Sequence, residues 1–393
     1  MPLLDGTIYL DHAATTPTDP AVLERMLPYF SDQFGNPSSI YTLGRKSLEA
    51  LDEAHATIAA ELGCRPTEVI FTGGGSEADN LAIKGVAYAA RRRGNHIVTT
   101  AIEHHAVLHT CQQLEREGYA VTYLPVDRDG LVAVADIERA LSDETALVTV
   151  MYANNEVGTI QPIAEIGRLC RERRIPLHVD AVQAGAYLDL DVRALHVDVL
   201  TLSAHKLYGP KGVGILYARQ GTRLQPQVLG GSQERNRRAG TENVPGAVGA
   251  AEALRRVRAD RSHESARLAA LRDRLIASIT AMPGAQLTGH PAQRLPNNAS
   301  FAFSGIEGES LLLNLDLLGI AASSGSACTT GSVEPSHVLT AMGFSPSDAR
   351  GHLRLTLGHS TTDADVDYLL EHLPGILTRL RALSTQPASV PMS

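Results

Sequence analysis

From about residue 60 to residue 220, helical stretches alternate with short β-branched runs at 68–72, 96–100, 120–125, 146–152, 177–180, 197–203 and 214–217. Strands alternating with helices predict an α/β fold, with a mostly parallel seven-stranded sheet covered on both faces. Ligands of such sheets sit at the carboxyl ends of the strands. The polar clusters GGGSEADN, EHH, NNEVG, DAVQ and SAHK each directly follow one of the runs, so they are expected on that edge.

Farther along, a helical segment from about 245 to 282 carries Leu268, Leu271, Leu275, Ile276 and Ile279 at the spacing of a buried face, and reads as a connector into a second domain. Further strands are expected at 299–303, 320–323 and 353–357, then a closing helix from about Asp363. The last dozen residues, ALSTQPASVPMS, are polar and contain Pro and Ser, which predicts a disordered tail.

Composition narrows the partners. The chain has 393 residues, 44% hydrophobic and 20% charged, as expected of a globular protein with two or more domains. With 35 basic and 43 acidic side chains the formal net charge is -8, so no overall basic field attracts nucleic acid or an anionic membrane. Small molecules or proteins are the expected partners. The segment MPLLDGTIYLDHAATTP has no basic leader, and no window nears the roughly 20 apolar residues that span a bilayer, so a cytoplasmic location is expected. Cys64, Cys111, Cys170 and Cys328 form no CxxC pair, which argues against a zinc knuckle or a disulfide framework.

Chemistry enters with Ser203-Ala204-His205-Lys206, which follows the apolar run DVLTL and precedes the Gly-rich LYGPKGVG. A lone lysine in such a turn is most often a surface residue. Asp180, closing the run IPLHVD, and Gln183 in the same turn change that reading. A buried carboxylate against a heterocyclic N–H⁺ makes a charge-assisted bond of roughly 1.5–3 kcal/mol, which keeps a pyridine protonated and electron-accepting. A lysine able to form a Schiff base and an aspartate under a pyridinium together suit pyridoxal 5'-phosphate. For its phosphate, Gly73-Gly74-Gly75-Ser76 opens a helical stretch whose free N–H groups and positive dipole end face an anion, although a plain tight turn explains the glycines about as well. Ser203 and His205 add side-chain donors. His104 and His105 are adjacent in a strand-to-helix turn, and no second His/Cys cluster with ligand spacing completes a metal site. An imidazole stacked on the cofactor ring, acting as acid or base, is the more economical reading.

In order from residue 10 to 358, the stretches LDHAATTP, GNPSS, FTGGGSEADN, EHHAVL, NNEVGTIQPI, HVDAVQ, SAHKLYGPKGVG, RAGTENV, SSGSACTTGSVEPSHVL and RLTLG resemble the cysteine desulfurase family. That family is part of the class V branch of fold-type I PLP-dependent transferases. The resemblance implies a large PLP-binding domain at 15–260 and a smaller α+β domain, built from 1–14 and 261–382, that carries the Cys328 loop. It also implies assembly as a homodimer, and the polar composition leaves 383–393 as the disordered tail. By position, Lys206 is similar to the family's Schiff-base lysine, Asp180 and Gln183 to the partners of the pyridinium and ring oxygen, and His104 to the stacking histidine. Asn155 resembles the residue touching both cofactor and substrate. Gly75, Ser76, Ser203 and His205 match phosphate contacts, and Thr241 resembles a threonine that reaches the phosphate of the neighbouring subunit. Arg354 is similar to the arginine that binds the substrate carboxylate, with Asn36 a further substrate-side contact. Many relatives instead carry an Ala-Thr pair in the glycine loop and Asn at the position of Asp79.

The cysteines separate by context. Cys170 shares a helix face with Ile163 and Ile166, and Cys111 with Val107, Leu108 and Leu114, so both read as buried hydrophobes. Cys328 lies in SSGSACTTGS, which has no apolar periodicity, and reads as a loop thiol. Five residues past Ser323, it can swing through roughly 17 Å at about 3.4 Å per residue. The resemblance implies that Cys328 takes the sulfur of L-cysteine as a persulfide, releases alanine, and passes the sulfur to an iron–sulfur scaffold or another acceptor protein. Two rival readings remain at this point. Another class V activity, such as an aminotransferase or selenocysteine lyase, would leave Cys328 without a role, and a non-catalytic sulfur carrier would need none of Lys206, Asp180 and Arg354.

Overall fold

Three sheets organise residues 6–324 and 335–384, the part of the chain that the computed structural model describes. In chain order the strands are β1 (Ile8–Tyr9), β2 (Val69–Thr72), β3 (His96–Thr100), β4 (Ala120–Leu124), β5 (Thr145–Met151), β6 (Leu177–Asp180), β7 (Val199–Ser203), β8 (Gly214–Ala218), β9 (Ala285–Leu287), β10 (Asn298–Phe303), β11 (Ile320–Ala321) and β12 (His352–Thr356). The seven-stranded sheet has the order β2-β8-β7-β6-β5-β3-β4, and only β8 runs antiparallel to its neighbours. All seven runs expected from the sequence form its strands. The run at 68–72 starts one residue late because Glu68 belongs to a 3₁₀ turn, where its carboxylate accepts the Arg65 and Gln220 amides at 2.9 and 2.7 Å.

Helices cover both faces of this sheet. On one, Ala78, Leu81, Ala82 and Val86 of the helix Gly75–Ala90 pack on Ile70, Ile97, Leu147 and Leu216. On the other, Ile163, Ile166 and Cys170 pack with Val148, Val179 and Leu200, alongside Ile58 of the helix Thr42–Leu62 and Leu254 of the helix Val244–Thr280. β5, β7 and β8 are buried at every position, and burial on both faces is why they are mainly apolar and carry no charged residue.

A separate core forms around the antiparallel sheet β12-β10-β9. Leu268, Leu271, Leu275 and Ile279 meet Phe301, Phe303, Leu353 and Leu355 there, and Leu369 and Leu373 of the helix Asp363–Ser384 close it. Of the face expected on the long helix, only Ile276 is half-buried. The strand expected at 320–323 is shorter, pairing as β11 with β1, while Ser323 forms a bridge to Arg354. The closing helix runs to Ser384, so residues 383 and 384, expected in the tail, are helical: Leu377 and Leu380 still pack against the core and carry the helix onward. Cys111 and Cys170 are buried, as their helix faces imply. Cys328 and residues 385–393 lie outside the described residues. Among the described residues no helix is long and apolar enough to cross a membrane.

Candidate active site

Because β3, β5, β6 and β7 are parallel, their carboxyl ends meet on one edge, and a cavity of about 320 Å³ opens there. Lys206 ends the 3₁₀ turn Ala204–Lys206 directly after β7. Its Nζ donates to the carbonyls of Ala13 and, at 2.6 Å, Ala14. Gln183 donates to the same Ala13 carbonyl at 3.0 Å. The segment around Ala13 thus forms one wall, held in place by the Ala13 amide on Thr356 Oγ1 (2.9 Å) and by the Thr16 amide on the His205 carbonyl (2.9 Å).

Asp180 closes β6 and faces this cavity, its Oδ1 accepting the Val182 amide at 3.0 Å. Burial pushes its carboxyl up to about 6, against the pull of that amide and of Lys206. Asp79, one turn into the helix Gly75–Ala90, lies beside it, and its Oδ1 is buried with no hydrogen-bond partner among the described residues. Burial first, and Asp180 second, hold the Asp79 carboxyl well above the usual range. His178 Nε2 stands 3.6 Å from Asp79, too far for a hydrogen bond, and burial lowers that imidazole to about 3, so this is a contact of neutral groups rather than an ion pair.

His104 caps the helix His105–Arg116, its Nδ1 accepting the Ala106 amide at 3.1 Å. An accepting Nδ1 puts the proton of the neutral ring on Nε2. Burial, then Lys206, lowers this histidine to about 4, so it is neutral at pH 7. One oxygen each of Asp79 and Asp180 and one ring nitrogen of His104 lie within 4.8 Å of one another, a donor grouping that no spacing in the sequence reveals. Glu103 escaped the sequence reading too. It is fully buried, accepts Thr100 Oγ1 at 2.6 Å and the Met151 amide at 3.0 Å, and its backbone carbonyl accepts His337 Nε2 at 3.0 Å.

The glycine cluster opens the helix Gly75–Ala90 beside this cavity. A Cβ on Gly75 would meet Ser203 Cβ and Val182 Cγ2 at 3.2 Å, so a side chain there would fill the cradle. A continuation of about 440 Å³ is lined by Gly73 to Glu77, Ser203, His205 and Lys211. Lys211, the second lysine of LYGPKGVG, adds a cation that the sequence reading left unused. His205 Nδ1 is paired with Thr15 Oγ1 at 3.1 Å, and burial with Lys206 lowers the ring to about 4.

Arg354, on β12, reaches the opposite wall. It donates to the Asn155 carbonyl at 3.0 Å and to Asp11 at 2.7 Å, while its buried Nε has no partner among the described residues. Asn36 and Thr241 are not brought to the cavity of their own chain. Both are exposed, and Asn36 accepts the Ser38 amide at 2.9 Å. The chain around Cys328 is anchored on both sides. Ser323 exchanges backbone hydrogen bonds with Arg354, Ser336 donates to Glu156 at 2.5 Å, and His337 binds the carbonyl of Glu103.

These groups fit pyridoxal phosphate. A helix N-terminus with a hydroxyl and an imidazole beside it suits the phosphate, a buried carboxyl short of positive charge suits the ring nitrogen, and an amine at a strand end suits the aldehyde.

Residues 8–369 match the aminotransferase class-V family model. A cysteine desulfurase, IscS, of Clostridium botulinum is 52% identical over 384 residues, covering 97% of each chain. One from Methanosarcina thermophila is 51% identical over 377 residues, covering 96% of this chain and 93% of the relative. Among solved structures, a NifS-like protein superposes with a TM-score of 0.90 at 38% identity, over 95% of this chain and 100% of its own. SspA, solved in complex with cysteine, gives 0.80 at 38% identity, over 89% and 99%. The chain therefore belongs to the class-V aminotransferase family and, within it, to the pyridoxal-phosphate-dependent cysteine desulfurases.

Proposed function

We propose that the cavity at the carboxyl edge takes sulfur from L-cysteine, releasing L-alanine and leaving a persulfide on Cys328. The convergence of Lys206, Asp180, His104 and Arg354 from four separate segments on one cavity carries this reading. Pyridoxal phosphate, when bound, supplies an aldehyde for the substrate amine and a protonated ring that draws electrons from Cα. Lys206 would hold the coenzyme by its amine, and the same amine, when free, would move the α-proton of the substrate. Asp180 would set its charge against the ring nitrogen, Gln183 would hold the ring oxygen, and neutral His104 would lie against the ring as an acid or base through Nε2. Amides of Gly75 and Ser76, with Ser203 and His205, take the phosphate. Arg354 receives the substrate carboxylate through donors that Asn155 and Asp11 do not use up, and Asn155 touches both coenzyme and substrate. The Cys328 thiolate attacks the substrate sulfur: an S–S bond forms, the C–S bond breaks with its electron pair passing to the substrate carbon, and protonation of that carbon lets it leave as alanine. Cys328 is four residues past Ser324, which allows roughly 14 Å of reach from that anchor.

Mass spectrometry after incubation with L-cysteine tests this. One added sulfur atom mapped to Cys328 is expected, together with loss of sulfide production, but not of bound coenzyme, in Cys328→Ala. Retained turnover in that variant refutes the assignment.

The two separate cores support a large domain at 15–260 and a smaller one from 1–14 and 261–382. Homodimerisation is supported by an apolar surface at Leu27, Phe30, Phe34, Ile40 and Tyr41, where Ile40 is 90% exposed. In such a dimer Thr241 would serve the partner's phosphate site, and Asn36 would act at the substrate side. An iron–sulfur scaffold is the proposed sulfur acceptor, and the cytoplasm the proposed location.

A further inference from the structure

A second cavity, of about 610 Å³, opens on the opposite edge of the seven-stranded sheet. Pro176 and Asp198 line it just before β6 and β7 begin, and Arg219 just after antiparallel β8 ends. At about 3.3 Å per residue, the four residues of β6 put it roughly 13 Å or more from the Lys206 cavity. Six arginines line it, Arg92, Arg93, Arg171, Arg174, Arg219 and Arg223, against the single carboxylate of Asp198.

Ordinary structural reasons account for part of this charge. The helices Gly75–Ala90 and Ile163–Glu172 both end here, and each carboxyl end carries about half a negative charge that attracts cations. Asp198 takes Arg219, at 2.5 Å. About four positive charges are left over, in a chain whose formal net charge is -8. Arg92, Arg171, Arg174 and Arg223 form no ion pair among the described residues. Arg174 also stands just past the end of its helix with φ of 58°, a left-handed position where glycine or asparagine is usual. A guanidinium is kept there at a cost in backbone strain.

Forked guanidinium groups match phosphate oxygens two at a time. Val86, Ala89, Ile175 and Pro176 give the same cavity an apolar side, and its volume lies in the usual range for small-molecule sites. We propose that this cavity binds a nucleoside triphosphate, with its phosphates on the arginines and its base on the apolar side. The site uses none of the residues assigned to sulfur transfer, so either reading can fail without the other.

Isothermal titration calorimetry on the full-length, coenzyme-loaded protein tests it, with ATP, adenosine, inorganic triphosphate and poly-L-glutamate as probes. ATP is expected to bind saturably and more tightly than triphosphate, with no detectable heat from adenosine. The double variant Arg92→Gln, Arg223→Gln is expected to weaken ATP binding at least about tenfold, the loss of one charge-assisted contact or more, with melting temperature and cysteine turnover unchanged. The pair Arg92→Lys, Arg223→Lys, which keeps charge but loses the fork, should weaken it less. No saturable ATP binding, or equal affinity in the Gln variant, overturns the site. Triphosphate binding as tightly as ATP overturns the nucleotide assignment, and poly-L-glutamate binding without ATP binding overturns it in favour of an acidic protein.

Discussion

Replacing Glu103 by Gln is expected to keep the fold and to abolish a loss of stability that sets in as pH rises. Glu103 is fully buried, and its two donors, Thr100 Oγ1 and the Met151 amide, both bind Oε1, while Oε2 has no partner among the described residues. Burial pushes the carboxyl up to about 8 in spite of those two bonds, with Asp180 adding to the rise. In the unfolded chain the same group titrates near 4.5. Its folded pKa is the higher one, so its contribution is complete below 4.5 and is lost as pH climbs through 8. Between pH 6 and pH 8 the loss is roughly 2 kcal/mol. At an unfolding entropy of about 2.1 cal/mol/K per residue, that is about 3 °C in melting temperature if the whole chain unfolds as one unit, and more if a smaller unit melts. A Gln keeps Oε1 for the same two donors and puts an uncharged group where the second oxygen stands. Melting curves of wild type and E103Q at pH 6 and pH 8 check this by double difference, in which every other titrating group cancels. The variant should gain about 3 °C on the wild type over that interval. A gap independent of pH would show that Glu103 is ionised in the folded protein already at pH 6.

Asp180→Asn is expected to weaken retention of pyridoxal phosphate by about tenfold to a hundredfold, measured by titrating the purified variant with the coenzyme, because an amide cannot supply the charge of the carboxylate. His104 is expected to titrate near 4 in NMR spectra of the ring. Since its folded pKa lies below the unfolded 6.5, its contribution to stability is full above 6.5 and is lost as pH falls toward 4, and turnover should show no inflection from this group between pH 6 and 8.

The sheet was legible because burial on two faces forces strands into continuous apolar runs, and a run of that kind keeps its period however the rest of the chain folds. At the start of β2 the end shifted because the Glu68 carboxylate takes backbone amides of Arg65 and Gln220. Composition set the start of the tail two residues too early: Leu380 docks on a core formed by distant strands and carries the helix on through residues 383 and 384, and no local pattern encodes that contact. In the same way, Lys206, Asp180, His104 and the glycine cluster were readable because each lies at or just past the carboxyl end of a strand, and strand order then gathers them. Asn36 and Thr241 have no such constraint, and the chain leaves them outside its own cavity.

Glu103 and Asp79 were illegible for a different reason: a carboxyl's role depends on how much water and which charges surround it, and three strands and a helix decide that together. In sequence Asp79 is one polar position in a helix. In the fold, it shares a buried neighbourhood with Asp180 and Glu103, where repulsion and burial act against ionising all three. A cationic ring nitrogen paired with Asp180 would favour ionisation of the carboxyl it contacts, while burial, with the repulsion of a charged Asp180, keeps Asp79 and Glu103 toward their protonated forms. The acid pair that the sequence gives no sign of therefore concentrates the ionisation on the one residue that the sequence does single out.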